Sequence, residues 1–310
     1  MHIEAALLAR QQLYRRARDY LREQDVLEVE TPLLGSAGTT DPQIESFQLR
    51  AGGQTRYLQT SPEFFLKRLV ASTGRSVYSL GKVFRNGETG RWHNPEFSML
   101  EWYRVGFNLQ GIMQDTCQLV AACLGQPELQ AHRVSYRELF EQHFSLNPHR
   151  AELPEVEPLV HQYTSYQAPL VSVAEGLQLL MDQVIEPGFY SPFTLLYHFP
   201  ADQCALARLT DCEGDPVAER FELYAGQLEL ANGYHELTDA DEQAHRFAND
   251  LQQRQQAGQP QVTVDQALVE ALRSGMPDCA GVSVGMDRLL AHAMQLDGIQ
   301  PLLPFGWSQS

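Results

Sequence analysis

The chain has 310 residues, 43% hydrophobic and 9% aromatic, enough for one large domain or two small ones. Its 23 Lys+Arg against 39 Asp+Glu give a formal net charge of −16. That field repels polyphosphate backbones at long range and favours cationic small molecules or a basic protein surface as partners.

No apolar run approaches the roughly 20 residues that span a bilayer. The N-terminal stretch MHIEAALLARQQLYRRARDYL spreads its apolar residues at helical spacing with Arg throughout, unlike a signal peptide. Cys117, Cys123, Cys204, Cys212 and Cys279 form no CxxC pair and no zinc-spaced cluster. A cytoplasmic protein with reduced thiols and no membrane partner is expected.

In chain order, residues 4–24 carry an amphipathic helix pattern through Leu7, Leu8, Leu13, Tyr14, Ala17 and Leu21. Val26 to Glu30 alternates like a strand and stops at Thr31-Pro32. Ser61-Pro62-Glu63 starts a helix, with Ser as cap and Pro at the first helical position. Ser76 to Arg85 and Glu96 to Arg104 read as an antiparallel pair of strands around a polar loop, 86–95.

Residues 108–145 are expected to be helical and 146–169 a Pro-rich connection, followed by a helix over 171–184. Phe193 to Phe199 reads as a buried strand, and Phe221 to Tyr234 as two strands about a turn near Gly226. Helices over 238–256 and 262–272, a strand over 281–286 and a helix over 287–295 complete the pattern. Many antiparallel strands with a late helix fit a single α+β domain over 1–310.

Three segments can carry chemistry. In the first, period-2 alternation puts Phe97, Met99, Glu101 and Tyr103 on one strand face, with Arg85 across the hairpin. A half-buried strand with a solvated Glu would read the same. In the second, an Ala225-Gly226 hairpin loop would set Glu222 directly opposite Glu229. Opposed like charges destabilise a sheet unless something neutralises them. A divalent cation would, since Mg²⁺ is held by carboxylates and substrate phosphates; two exposed acids on a wet face remain the alternative. In the third, GVSVGMDR places Gly285 at a strand end and Arg288 in the first turn of the next helix, an anion-friendly terminus.

Two arginines, a carboxylate pair and an aromatic face are the equipment for adenylate formation. There a substrate carboxylate attacks the α-phosphorus of a held triphosphate, and catalysis is positioning and charge neutralisation. Walker A, GxGxxG and GxSxG patterns are absent from the sequence.

Taken together, the segments resemble the class II aminoacyl-tRNA synthetases, and most closely their lysyl branch. The first helix with VLEVETPLL is similar to motif 1, GKVFRNGETGRWHNPEFSMLEWYR to motif 2 and GVSVGMDRLLA to motif 3. SPEFFLKR and ELANGYHEL also match the lysyl pattern. The resemblance implies the class II catalytic core, a mostly antiparallel β-sheet flanked by helices, with ATP and Mg²⁺ as cofactors and a homodimer formed through motif 1.

It further implies that Arg85 holds the α-phosphate and Arg288 the γ-phosphate, with Phe97 and Arg288 sandwiching adenine. Asn86, Asn94, Pro95, Glu96, Leu230 and Gly285 would line the nucleotide, and Glu222 and Glu229 would carry Mg²⁺. Ser61, Pro62 and Glu63 would sit at the substrate's amino group, and Glu101, Tyr103 and Glu236 at a distal ammonium. Carboxylates of this kind offset the desolvation of a buried ammonium. The sequence departs from the lysyl pattern at Gly87, where Glu is frequent, and Glu88 is expected to take over that contact.

The lysyl enzymes carry an N-terminal OB-fold that binds the anticodon, and the first helix here begins almost at Met1. The implied match is therefore the free-standing paralogue group that joins (R)-β-lysine to a lysine of elongation factor P without tRNA. A truncated lysyl-tRNA synthetase and a non-catalytic amino-acid sensor are the competing readings.

Overall fold

The computed structural model describes residues 3–309; Met1, His2 and Ser310, the ends of the expected domain, lie outside the described residues. The strands are β1 (Leu27–Glu28), β2 (Leu34–Gly35), β3 (Gln48–Ala51), β4 (Gln54–Leu58), β5 (Val77–Phe84), β6 (Glu96–Val105), β7 (His132–Ser135), β8 (Thr194–Pro200), β9 (Leu209–Cys212), β10 (Asp215–Ala225), β11 (Leu228–His235) and β12 (Cys279–Gly285). The α-helices are α1 (Ile3–Glu23), α2 (Glu63–Thr73), α3 (Leu109–Leu124), α4 (Tyr136–Phe144), α5 (Leu153–Tyr163), α6 (Val173–Leu180), α7 (Ala240–Gln256), α8 (Gln266–Arg273) and α9 (Met286–Ala293).

A nine-stranded sheet runs in the order β1-β5-β6-β12-β11-β10-β8-β7, with β9 paired to β10. Its pairs are antiparallel except β1 with β5 and β7 with β8. A three-stranded sheet, β2-β4-β3, stands apart. The α+β architecture expected from sequence, a mostly antiparallel sheet flanked by helices, is the one found.

The period-2 rule divides the large sheet into two faces. Leu100 and Trp102 of β6, Val282 and Val284 of β12, and Phe221 and Leu223 of β10 are buried in one cluster with Leu13, Ala17 and Leu21 of α1 and Leu119 and Val120 of α3. The intervening residues, among them Met99, Glu101, Tyr103, Gly281, Ser283 and Glu222, line an open cleft on the other face. Beneath the apolar layer, Asp115 accepts hydrogen bonds from Trp102 Nε1 (2.9 Å), Tyr20 OH (2.6 Å) and Arg104 Nη1 (3.3 Å). Arg10 of α1 reaches Asp287 at 2.6 Å, and Asp287 in turn accepts from the Ser98 backbone N–H at 2.7 Å.

Several expectations are corrected. The helix over 108–145 is two helices separated by β7. Gly125 closes α3 in the left-handed region (φ 73°), and a Ser135/Glu138 capping box opens α4. The Pro-rich connection contains α5, opened by Pro in its first turn and buried through Val156 and Val160. The strand over 26–30 shrinks to β1. The α2 start slips by one residue: Pro62 occupies the cap position, and Ser61 Oγ accepts from the Glu63 N–H at 3.0 Å.

The hairpin register also differs from expectation. Ala225 pairs with Leu228, so the two-residue loop is Gly226-Gln227, and a bulge follows at Leu223/Tyr224. Glu222 therefore faces Asn232, and Glu229 faces Tyr224. The two acids are not directly opposite: the loop lies one residue further along than Ala225-Gly226, which already takes Glu222 off Glu229, and the bulge shifts it one residue more, onto Asn232.

Candidate active site

The cleft on the open sheet face has a volume of about 1820 Å³. That exceeds the 300–1,000 Å³ or so of a site for one drug-sized ligand. Ser61, Glu63, Arg85, Asn94, Phe97, Glu101, Tyr103, Glu222, Glu229, Leu230, Glu236, Gly285 and Arg288 all line it. Pro62, Asn86, Pro95 and Glu96 fall outside the wall: Asn86 donates to Glu45 at 2.8 Å, the Pro95 carbonyl accepts from the Arg85 N–H at 2.9 Å, and Glu96 pairs with Lys82 at 3.5 Å.

At one end the arginines converge. Arg85 lies over the Phe97 ring at 5.2 Å and pairs with Glu88 at 3.5 Å. Gly87, in the left-handed region at φ 79°, makes the turn that carries Glu88. Arg288 donates to the Glu229 carbonyl at 3.0 Å and its carboxylate at 3.2 Å, and its Nη2 meets His93 Nε2 at 2.6 Å. Burial and then the Arg288 charge lower the His93 pKa, so this ring is the neutral acceptor for the guanidinium. A Cβ on Gly285 would make only ordinary contact with Arg288, at 3.7 Å.

Between the two ends lie Glu222 and Glu229. Glu222 is buried and takes a hydrogen bond from Tyr224 OH at 2.6 Å and from Asn232 Nδ2 at 3.3 Å, with Arg220 as its ion-pair partner. Burial raises its pKa, Arg220 opposes, and the Glu229 charge adds to the rise. The Tyr224 oxygen also lies 2.8 Å from Glu186, whose carboxyl burial pushes up to about 7, and its single proton serves one of the two acids at a time.

At the far end sits a buried acid cluster. Tyr103 OH donates to Glu101 at 2.8 Å. Burial pushes the Glu101 carboxyl up to about 8, Glu63 adds to the rise, and Tyr103, Ser61 and Lys67 oppose it. Glu236 is fully buried and is pushed up to about 7 by burial, against the pull of Lys67. Its Oε1 has no hydrogen-bond partner among the described residues. Gly281 makes this crowding possible, while Gly233 gives the same room to Phe221 on the apolar face. A Cβ on Gly281 would stand 2.4 Å from Tyr103, and one on Gly233 2.4 Å from Phe221.

Sequence reasoning missed Lys67, His93, Arg220, Asn232 and Tyr234. Asn232, Tyr234 and Glu236 follow the same alternation that revealed the β6 face, and Lys67 stands one helical turn from Glu63. Among the described residues, no group of three or more His, Cys, Asp and Glu side chains forms a protein-only metal cage. No described helix is long and apolar enough to cross a membrane.

The family described as tRNA synthetases class II (D, K and N) matches residues 1–309. A relative from Pasteurella multocida, named elongation factor P–(R)-β-lysine ligase, is 40% identical over 308 residues, covering 97% of this chain and 94% of its own length. Relatives of the same name from Yersinia enterocolitica (39% over 316 residues; 97% and 94%) and Haemophilus influenzae (39% over 307 residues; 96% and 94%) agree. With that match running the length of the chain over an antiparallel sheet whose open face gathers both motif arginines, the protein belongs to the class II aminoacyl-tRNA synthetases of the D, K and N group.

Proposed function

We propose that this single-domain protein is an ATP-dependent ligase that activates (R)-β-lysine as its adenylate and transfers it to a lysine of elongation factor P. One observation carries the reading: an arginine pair and a buried, under-compensated acid cluster share one cleft. The first suits a polyphosphate; the second needs a cationic amino acid.

In the proposed reaction, Arg85 and Arg288 exchange Glu88 and Glu229 for the α- and γ-phosphates, and Phe97 stacks on the base. Asn94, Leu230 and Gly285 complete the nucleotide wall; Asn86, Pro95 and Glu96 support it from behind. Ser61 and Glu63 hold the amino group near the reacting carboxylate, with Pro62 outside the wall at the start of α2, and Glu101, Tyr103 and Glu236 hold the distal ammonium. The substrate carboxylate oxygen then bonds to the α-phosphorus as the bond to pyrophosphate breaks. A neutral acceptor amine next bonds to the carbonyl carbon, AMP leaves, and the amine proton passes to solvent. Neither step needs a protein nucleophile.

Glu222 and Glu229 fit Mg²⁺ in chemistry, because both line the cleft and their charges oppose each other. When bound, the ion neutralises phosphate charge. A cytoplasmic homodimer is part of the proposal: Leu7 and Leu8 on α1, with Leu27, Leu33 and Leu34 after it, are exposed along the motif 1 segment. The acidic charge of −16 favours a protein acceptor over tRNA.

The test incubates the enzyme with ATP, each lysine isomer, and either purified elongation factor P or lysine tRNA. A mass increase on the factor is expected. Charging of tRNA with the factor left unmodified would overturn the proposal in favour of a lysyl-tRNA synthetase activity.

A further inference from the structure

Lys67 is 1% exposed, an unusual place for an ammonium unless its partners are charged. It is not part of the cleft wall and stands behind it, on the α2 turn after Glu63. Its Nζ lies 2.6 Å from Glu63 and 2.7 Å from Glu236 Oε2. Those carboxylates are the ones the proposed reaction assigns to the two ends of the amino acid.

We propose that Lys67 is a positioning residue, an internal cation that ties Glu63 to Glu236 and sets the pocket's charge so that it takes a diamine. This rests on the ligase reading above and adds a residue to it. Glu63, Glu101 and Glu236 against one Lys67 leave two negative charges when all are ionised, the number that two substrate ammonium groups neutralise. Without Lys67 the same substrate would leave an uncompensated buried carboxylate, which protonates rather than stay charged.

The surroundings bear this out from each packed element. β6 presents Glu101 and Tyr103, β11 and the residue after it Tyr234, His235 and Glu236, and β12 Cys279. Burial alone would lower the Lys67 pKa; Glu236 and then Glu63 more than offset it, so the ammonium stays charged. Lys67 in turn lowers both Glu101 and Glu236. Leu66 and Val70 flank Lys67 on α2 and are buried in an apolar cluster, so the helix that delivers Lys67 also has an apolar anchor.

The test is amino-acid-dependent ATP–pyrophosphate exchange by the wild type, Lys67→Met and Lys67→Arg from pH 6 to 9, with thermal unfolding as a fold check. In Lys67→Met the KM for the lysine isomer is expected to rise about 30-fold or more near pH 7, as for truncation of one partner of a buried pair. Its KM–pH profile should move up by about one unit or more, while the ATP KM stays within about twofold. Lys67→Arg should keep the wild-type profile.

If Lys67→Met does not fold, Lys67→Met/Glu236→Gln removes the pair together. Its amino-acid KM should then be no higher than that of Glu236→Gln, because losing Lys67 as well restores the count of two negative charges. A wild-type KM and profile in Lys67→Met, an equal loss of ATP and amino-acid affinity in any of these variants, or a double variant much worse than Glu236→Gln would overturn the inference while leaving the ligase reading intact. No exchange by the wild type with any lysine isomer would instead sink the ligase reading.

Discussion

Gly281→Ala is the smallest change that should disable amino-acid recognition. A methyl group there would stand 2.4 Å from Cε1 and 2.7 Å from Cδ1 of Tyr103, and 2.6 Å from Oε1 of Glu236. Non-bonded carbon atoms settle at about 3.5–4.0 Å, so the neighbours must retreat by about 1 Å. Tyr103 and Glu236 are 2% and 0% exposed and have nowhere to go without moving β6 or the chain after β11. Overpacking of this sort costs about 1–3 kcal/mol in stability. A displacement of about 1 Å in groups that orient a substrate costs up to ~100-fold in rate. In pyrophosphate exchange, the kcat/KM for the amino acid should fall by about that factor while the ATP KM changes by less than about twofold. Wild-type kcat/KM in a folded Gly281→Ala would refute the placement of the ammonium pocket against β12.

Arg288→Ala should lower exchange by about 10³-fold or more, as removal of a phosphate-clamping arginine does, with circular dichroism unchanged; near-normal exchange would remove Arg288 from the phosphate site. The amino-acid KM should depend on pH. Burial raises Glu101 to about 8 and Glu236 to about 7, so both carry protons in the free enzyme below those values and must lose them to pair with ammonium. The KM should therefore fall as pH rises from 6 towards 8.5, up to tenfold per unit and per group; a flat profile would contradict the burial of these acids. Asp115→Ala strips the acceptor from Trp102, Tyr20 and Arg104. It should cost about 3–5 kcal/mol and lower Tm by roughly 10 °C; a shift under ~2 °C in a calorimetric scan would show that the network relaxes.

The alternation of β6 could be read directly, because Phe97, Met99, Glu101 and Tyr103 obey one period and their partners Leu100 and Trp102 the other. The arginines were legible for a similar reason: each lies beside a structural punctuation mark, Arg85 at the end of an apolar strand run and Arg288 just after Gly285. The Glu222–Glu229 relation was not. A turn displaced by one residue and the bulge beyond it change register without leaving a residue type that announces them, and here they separate two acids that simple counting set opposite each other. The helix over 153–163 was hidden by Pro154 and Pro158, which lower local propensity while Val156 and Val160 find a tertiary partner in α6. Lys67 was hidden because a lysine on an amphipathic helix normally faces water, and only the arrival of Glu236 from far along the chain turns it inward.

The ion pair between Arg10 and Asp287 gives the first helix an influence beyond its packing role. Asp287 adjoins Arg288 in sequence and also fixes the backbone of Ser98, next to Phe97. Trimming or tagging that disturbs α1, ordinarily among the safer manipulations of a recombinant protein, would thus slacken both walls that would grip the nucleotide. A change confined to Arg10 leaves the buried Leu13, Ala17 and Leu21 in place and would still make a poorer enzyme.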